Sequence, residues 1–161
     1  MNAVSTRLPI AKVALVLESR HRRRLLLIEC MPAYVFPIEH AAIAREDLLA
    51  SCEIDAPYFM LAFTSGLYLW RKDTTPGASP DYTASPETIW RAYLGERELQ
   101  NPAGVHELNV ETAVTVWLED LAWGTRKLDP RSDADRMLVR SGLYREMERG
   151  TVRLDDTTVL W

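Results

Sequence analysis

The sequence predicts an α+β domain with a mixed β-sheet in its first half and mainly helices in its second half. Two apolar runs, residues 25–31 and 58–64, have the length and aliphatic composition of buried strands. The segment between them, residues 38–52, carries apolar residues at helical spacing. From Ser85 onward, helix-start and helix-stop residues bound several further segments with helical spacing.

The first half is expected to begin with a hairpin that has a basic tip. Residues 9–18 are rich in aliphatic and β-branched residues, residues 19–23 are polar, and residues 24–30 form the return strand. Two prolines interrupt residues 32–37, and a helix follows. Its predicted buried face holds Ala41, Ala44, Leu48 and Cys52, and its charged residues, Glu39, Arg45, Glu46 and Asp47, lie elsewhere around the helix.

A second hairpin is predicted next. Strands over residues 58–64 and 67–71 are joined by Ser65 and Gly66, which are typical turn residues. Residues 72–84 contain Pro76, Gly77 and Pro80 and show no periodicity. This segment predicts a surface loop between a mainly β part and a mainly α part.

The second half predicts four helices and a short terminal strand. Ser85 and Pro86 form a helix start, and that helix is expected to end by Gly95. Further helices are expected over residues 110–123 with Asn109 as the cap, from Asp129-Pro130 to Gly142, and over residues 143–149. Residues 151–161 alternate weakly, as a strand would.

Length and composition indicate one domain. The 161 residues are divided into a sheet core over residues 1–72 and a helical part over residues 85–161. A net charge of −4 argues against strong non-specific binding to phosphate unless basic residues cluster locally. The N-terminus lacks a signal-peptide core, no apolar run is long enough to span a bilayer, and Cys30 and Cys52 have apolar neighbours. These features predict a reduced, cytoplasmic protein without membrane contact.

Glu29 is the residue that most needs an explanation. It stands near the end of the apolar run over residues 25–31, where burial of a carboxylate is costly unless the group is paired, hydrated or bound to metal. The order strand, acidic residue, helix, strand, together with the stretches at residues 27–31, 56–62 and 67–71, resembles the PD-(D/E)XK nuclease superfamily. It is most similar to the restriction-endonuclease-like domains at the N-terminus of type I restriction subunits. The resemblance covers about two-fifths of the chain and implies a restriction-endonuclease-like central mixed sheet.

The family's catalytic pattern is only partly matched. The resemblance implies that Glu29 is a metal ligand and the catalytic carboxylate, if the site is active with Mg²⁺ or Mn²⁺. No Asp precedes Asp47 in the chain, so Lys12 or Ala14 falls where the family has Asp, and Met31 falls where it has Lys. The single Gln, at position 100, lies far from the helix that carries Gln in the family. Glu39 and His40, at the start of that helix, are the candidates for replacement ligands.

These observations predict a non-catalytic module derived from a nuclease, without a cofactor, that binds nucleic acid or a protein partner in a bacterial, defence-related setting. Two alternatives stay open: an active nuclease that uses Glu29 with unorthodox ligands, and a purely structural protein-interaction domain. The sequence shows no P-loop, dinucleotide fingerprint, catalytic Ser or Cys motif, or zinc-ligand spacing.

The densest charge cluster marks the candidate binding residues, which are Arg20, Arg22, Arg23 and Arg24. Such a cluster could hold a nucleic-acid backbone or an acidic protein face, or it could be a solvated hairpin tip that protects a sheet edge. Trp117 fits the predicted core, whereas Trp123 and Trp161 are candidates for an interface. An unpaired edge at the first hairpin would also suit a homodimer.

Overall fold

The structure is a computed structural model that describes residues 14–31, 37–51, 56–94 and 107–154. In these segments a mixed six-stranded sheet is combined with five helices. The strands are β1 (Ala14–Glu18), β2 (Arg24–Met31), β3 (Tyr58–Phe63), β4 (Gly66–Arg71), β5 (Tyr82–Ala84) and β6 (Thr151–Leu154). The helices are α1 (Ile38–Ser51), α2 (Glu87–Tyr93), α3 (Glu107–Ala122), α4 (Asp133–Arg140) and α5 (Leu143–Glu146).

The strand order across the sheet is β5-β4-β3-β2-β1-β6. Strands β2 and β3 are parallel, and α1 connects them, whereas every other neighbouring pair is antiparallel. A helical crossover is the usual way to join parallel neighbours, because a short turn cannot return the chain to the starting end of the sheet. The predicted α+β class and both predicted hairpins are confirmed; the restriction-endonuclease-like identity of the sheet stays a prediction.

The sheet separates two apolar layers. One layer lies between the sheet and the C-terminal helices, where Ile28, Met60 and Leu69 pack with Trp117 and Met137. The other layer lies under α1 and is smaller, with Leu27, Phe59 and Trp70 around Ala41. Because side chains alternate along a strand, Glu29 shares the α1 side of β2 with Leu27. Both faces of β2 are therefore covered, which explains its continuous apolar run.

One strand differs from the sequence prediction, and another is confirmed with a partner that was not predicted. Residues 72–84 were expected to be a loop, but Tyr82–Ala84 form edge strand β5 against β4. The predicted strand at the C-terminus is confirmed for Thr151–Leu154, which pairs with β1. Strand β1 is consequently not a sheet edge, so the expected dimer through an unpaired edge of the first hairpin loses its basis.

Several helix boundaries also differ. Helix α3 already includes Glu107, so Asn109 lies inside the helix and is not its cap. Helix α4 begins after Ser132, whose side chain accepts a hydrogen bond from the Asp135 backbone N–H, and not at Asp129-Pro130. Helix α5 ends at Glu146, earlier than the predicted residue 149. Near these boundaries several successive polar residues could each cap a helix. The local sequence therefore does not determine at which of them the helix begins or ends.

Arg45 contradicts the expected polar face of α1. It is only 3% exposed, and its guanidinium donates hydrogen bonds to the backbone carbonyls of Arg71 and Thr74. Its guanidinium carbon also lies 5.9 Å from the centre of the Trp70 ring. The side chain thereby joins α1 to the segment after β4, and burial lowers the pKa of its guanidinium.

Some predictions concern residues outside the described segments. These are the first strand before residue 14, Cys52, the helix end near Gly95, the loop over residues 97–106, and the tail from residue 155 to Trp161. Cys30 is buried, as predicted. None of the helices in the described segments combines the length and apolarity needed to cross a membrane.

Candidate functional site

Glu29 lies in the middle of the sheet, on β2, and is 6% exposed. The strand register places it opposite Ala14 on β1 and opposite Leu61 on β3. Met31, two residues further along β2, belongs to the same side and packs at the edge of the layer under α1. Ala14, one of the two residues that the family resemblance aligns with Asp, is therefore opposite Glu29 on β1, and Met31, which it aligns with Lys, follows on β2.

The surroundings of Glu29 supply few possible metal ligands. Across the described ranges 14–31, 37–51, 56–94 and 107–154, no three His, Cys, Asp or Glu side chains form a group that could hold a metal ion. Lys12 lies outside these ranges. Glu39 and His40 begin α1 and are both exposed, and Glu18 forms an ion pair with Arg153 at the opposite end of the sheet.

The tip of the first hairpin holds the predicted cluster of arginines. The Ser19 hydroxyl accepts hydrogen bonds from the backbone N–H groups of His21 and Arg23, at 3.3 and 3.1 Å. The Ser19 backbone N–H donates to the Arg23 carbonyl, and the Arg22 N–H donates to the Ser19 carbonyl. Arg22 has a φ of 60°, in the left-handed region that a tight turn of this kind requires. The tip is therefore held by its own hydrogen bonds.

The arginine side chains at the tip face solvent. Arg20, Arg22 and Arg23 are exposed, and Arg24 is half-buried where β2 begins. The Arg20 Nε–H donates to the His21 ring at 3.1 Å. Among the ion pairs of the described segments, none involves Arg20, Arg22 or Arg23. The sequence prediction thus named residues that the structure brings together as one patch of positive charge, which we call the basic tip (residues 20–24).

A further arginine, Arg149, lies at the same end of the sheet as the basic tip. Strand β6 pairs with β1, and Thr151 is opposite Glu18. Gly150 packs on the Glu18 backbone so closely that an added Cβ would lie 2.5 Å from the Glu18 carbonyl oxygen. Arg149, which precedes Gly150, is exposed and has a φ of 57°. Arg149 therefore lies at the end of the sheet where β1 leads into the turn that begins at Ser19.

Sequence reasoning did not find Arg149, because the pairing of β6 with β1 joins residues more than 130 positions apart in the chain. Only the weak alternation after Gly150 indicated a strand there, and nothing in the sequence indicated its partner. The same pairing joins Arg153 to Glu18, which is thereby removed from the list of possible metal ligands.

A groove of about 580 Å³ continues from Arg149 along the surface. It lies between the end of α3 and the segment that includes α5 and the turn after it. Its lining consists of Leu121, Ala122, Trp123, Gly124, Tyr144, Arg145, Met147, Glu148 and Arg149. Trp123 is 57% exposed, in agreement with the expectation that it is hard to bury.

A second, smaller groove of about 350 Å³ lies near the β3–β4 turn. Its described lining includes Asp133 and small polar residues but no Lys or Arg. The charge of this groove therefore does not suit a phosphate, in contrast to that of the first groove.

No protein-family model, curated protein or solved structure matches this chain. The function must therefore be inferred from the geometry of the molecule itself.

Proposed function

We propose that this protein is a non-catalytic module, derived from a nuclease, that binds the phosphate backbone of nucleic acid through its basic tip. The observation that carries the proposal is the exposure of Arg20, Arg22 and Arg23 on a tip whose backbone is held by Ser19. Arginine offers paired N–H donors that match phosphate oxygens, and a backbone fixed in advance reduces the entropy lost on binding.

The whole chain carries a net charge of −4, which would repel phosphate groups. Binding of nucleic acid therefore depends on a local concentration of positive charge. Three exposed arginines without a described carboxylate partner form a positive region at one end of the sheet, and the exposed Arg149 lies at the same end. A solvated tip that only protects a sheet edge is less well supported, because β6 covers the outer edge of β1. A strand whose edge is already paired does not need charged residues to prevent edge-to-edge aggregation.

The proposed lack of catalysis rests on the neighbours of Glu29. Mg²⁺ keeps its water shell unless several oxygen ligands replace it, and Ala14 and Met31 provide none from their side chains. The resemblance to the PD-(D/E)XK superfamily supports descent from a nuclease, since the order of β2, Glu29, α1 and β3 is that of the family core. The likeness to type I restriction subunits is the basis for proposing a role in prokaryotic defence.

The experiment measures binding of a fluorescent DNA duplex by anisotropy at several salt concentrations. The wild-type protein is compared with the double variant Arg22→Glu, Arg23→Glu. The control is Arg91→Glu, Arg131→Glu, which changes net charge equally at exposed positions. Both control residues lie towards the other end of the sheet, since Trp90 contacts the Thr64 carbonyl and Asp133 contacts the Ser85 N–H.

Contact with about three phosphates would lower the wild-type affinity roughly 40-fold between about 50 and 200 mM salt. We expect the tip variant to lose at least about tenfold in affinity at low salt and the control to stay within about threefold. Salt-dependent affinity that survives the tip change, or that falls equally in the control, would refute the proposal. No binding of nucleic acid at low salt would favour the purely structural interaction domain.

A further inference from the structure

The groove that includes Arg149 has apolar and aromatic residues in its lining. Leu121, Ala122 and Met147 are buried, whereas Trp123 is exposed and Tyr144 is half-buried. Its volume of about 580 Å³ lies within the range of roughly 300–1,000 Å³ that is typical of small-molecule sites. The groove is therefore large enough for an aromatic ring system to lie against the Trp123 side chain.

Trp123 is held in place at the C-terminal end of α3. Its backbone N–H donates to the Glu119 carbonyl at 2.9 Å, and Gly124, with a φ of 71°, turns the chain away from the helix. The indole is thus presented from an ordered helix end and not from a long loop. A tryptophan on an ordered backbone loses freedom at only two side-chain torsions when it stacks on a ligand, so the cost in conformational entropy is small.

The last carbonyl groups of α3 already have hydrogen-bond partners within the chain. Those of Glu119, Asp120, Leu121 and Ala122 accept hydrogen bonds from the N–H groups of Trp123, Arg126, Gly124 and Arg149. Two exposed arginines, Arg145 and Arg149, line the rim, together with the exposed Glu148. The charged residues of the rim therefore sum to one net positive charge. The carboxylate oxygens of Glu148 can accept hydrogen bonds from an N–H or O–H group of a ligand.

The rim and the basic tip lie at the same end of the sheet. Arg149 belongs to the groove, and Gly150 packs directly on the carbonyl of Glu18, one residue before the turn begins at Ser19. A ligand that spans both places must therefore carry repeated negative charge near the tip and a flat apolar group at the groove. Single-stranded nucleic acid combines these properties, whereas the bases of a duplex are stacked and paired and cannot reach a side wall.

We propose that the preferred ligand is single-stranded nucleic acid, with one unpaired base stacked on Trp123. The flanking phosphates contact Arg145, Arg149 and the basic tip. This inference rests on the proposed function and names the form of nucleic acid that the same surface selects. The amino groups of a base find an acceptor in Glu148.

The experiment compares an unstructured single strand with a duplex of the same length, using anisotropy at one low salt concentration. Three proteins are tested: wild type, Trp123→Ala and Trp123→Phe. Val139→Ala is the control, because Val139 is an apolar side chain on α4 that is 52% exposed, close to the 57% of Trp123. Intrinsic tryptophan emission of wild type and Trp123→Phe is recorded in the same titrations.

We expect wild type to bind the single strand more tightly than the duplex. Loss of one stacked base should lower single-strand affinity about fivefold or more in Trp123→Ala and leave the duplex affinity within about twofold. Trp123→Phe should retain most of the affinity, and Val139→Ala all of it. Quenching of tryptophan emission by the single strand should be smaller in Trp123→Phe than in wild type.

The two proposals fail in different ways. If the basic tip is needed for binding but Trp123→Ala binds single strands as wild type does, or duplex binds as tightly as single strand, the stacking inference is wrong and the proposed function stands. If neither form binds at low salt, both are wrong. Circular dichroism of the Trp123 variants checks that they are folded, and the Trp123→Phe result separates loss of stacking from loss of structure.

Discussion

Gly150 lies against the backbone of Glu18, and a methyl group at Gly150 would come within 2.5 Å of the Glu18 carbonyl oxygen. The same methyl group would lie 2.9 Å from the carbonyl oxygen of Met147. This close approach is the point where the C-terminal strand β6 begins its pairing with β1. It fixes the position of Arg149 relative to the basic tip, so the proposed binding surface depends on a contact between distant parts of the chain.

The first prediction concerns this contact. Gly150→Ala should lower the free energy of unfolding by about 1–3 kcal/mol, because both clashing atoms belong to the backbone and cannot rotate away. Urea unfolding at neutral pH measures the change. Thr151→Ala, the next residue and exposed on the same strand, is the control and should cost about 0.5 kcal/mol or less. An equal loss in the two variants would contradict the close packing of Gly150.

The second prediction concerns Asp135, a buried acceptor that is 1% exposed. Its carboxylate accepts hydrogen bonds from the Trp117 indole N–H at 2.8 Å, the Arg126 guanidinium at 2.9 Å and the Asp129 backbone N–H at 2.9 Å. Asp135→Ala leaves these donors without their acceptor, one of them charged, and should cost about 3 kcal/mol.

The control for Asp135 lies on the same helix. Asp133 is half-buried and accepts from the Ser85 backbone N–H and from Arg136. Its substitution by alanine should cost only about 1 kcal/mol, since water can replace a partner lost near the surface. Thermal or urea unfolding separates the two variants. Similar losses would show that the donors around Asp135 find other partners.

The third prediction concerns stability at alkaline pH. Burial, together with the hydrogen bond that its hydroxyl donates to Asp120, raises the pKa of Tyr93 from 10.0 to about 12. The folded state therefore favours the protonated phenol. The stabilisation is complete below pH 10 and is lost as the pH rises to about 12, because the unfolded chain ionises first.

Tyr93→Phe should consequently reduce the fall in stability between pH 10 and about 12. Burial also raises the pKa of Tyr58 and of Tyr68, so the variant should reduce the pH dependence without abolishing it. Urea unfolding at a series of alkaline pH values provides the measurement. An unchanged pH dependence in the variant would mean that Tyr93 ionises equally in the folded and unfolded states.

The fourth prediction concerns metal ions. With Mg²⁺ or Mn²⁺ and plain DNA or RNA, the wild-type protein should show no cleavage, because Mg²⁺ needs several oxygen ligands and no group of three possible ligands lies in the described ranges, Glu29 included. Calorimetric titration with Mn²⁺ should give the same small heat for wild type and for Glu29→Ala. Cleavage that disappears in Glu29→Ala would instead establish an active nuclease.

The successful sequence predictions concern neighbours in the chain. The hairpin β1–β2 and its basic tip follow from an apolar run, a polar turn and a second apolar run, all within about 20 residues. The turn at Ser65-Gly66 identified the second hairpin in the same way. In both hairpins the pattern that predicts the strands also predicts their partner, because a short turn brings the two strands together.

Long-range contacts account for the errors. The sequence pattern places Arg45 away from the predicted buried face of α1, yet the side chain is buried and donates hydrogen bonds to two backbone carbonyls near β4. Strand β5 has only three residues, which is too short to show the alternation of apolar and polar residues that predicts a strand. Its strand conformation depends on the hydrogen bonds to β4.

The sequence by itself determined the α+β class, the two hairpins and the arginines of the basic tip, because each depends on local spacing and composition. Tertiary structure alone decided that β6 covers β1, that Arg149 lies at the same end of the sheet as the basic tip, and that Trp123 lines a groove with Arg149. Those features depend on which distant surfaces fit and bury one another, and that fit is a property of the packed molecule and not of any short segment.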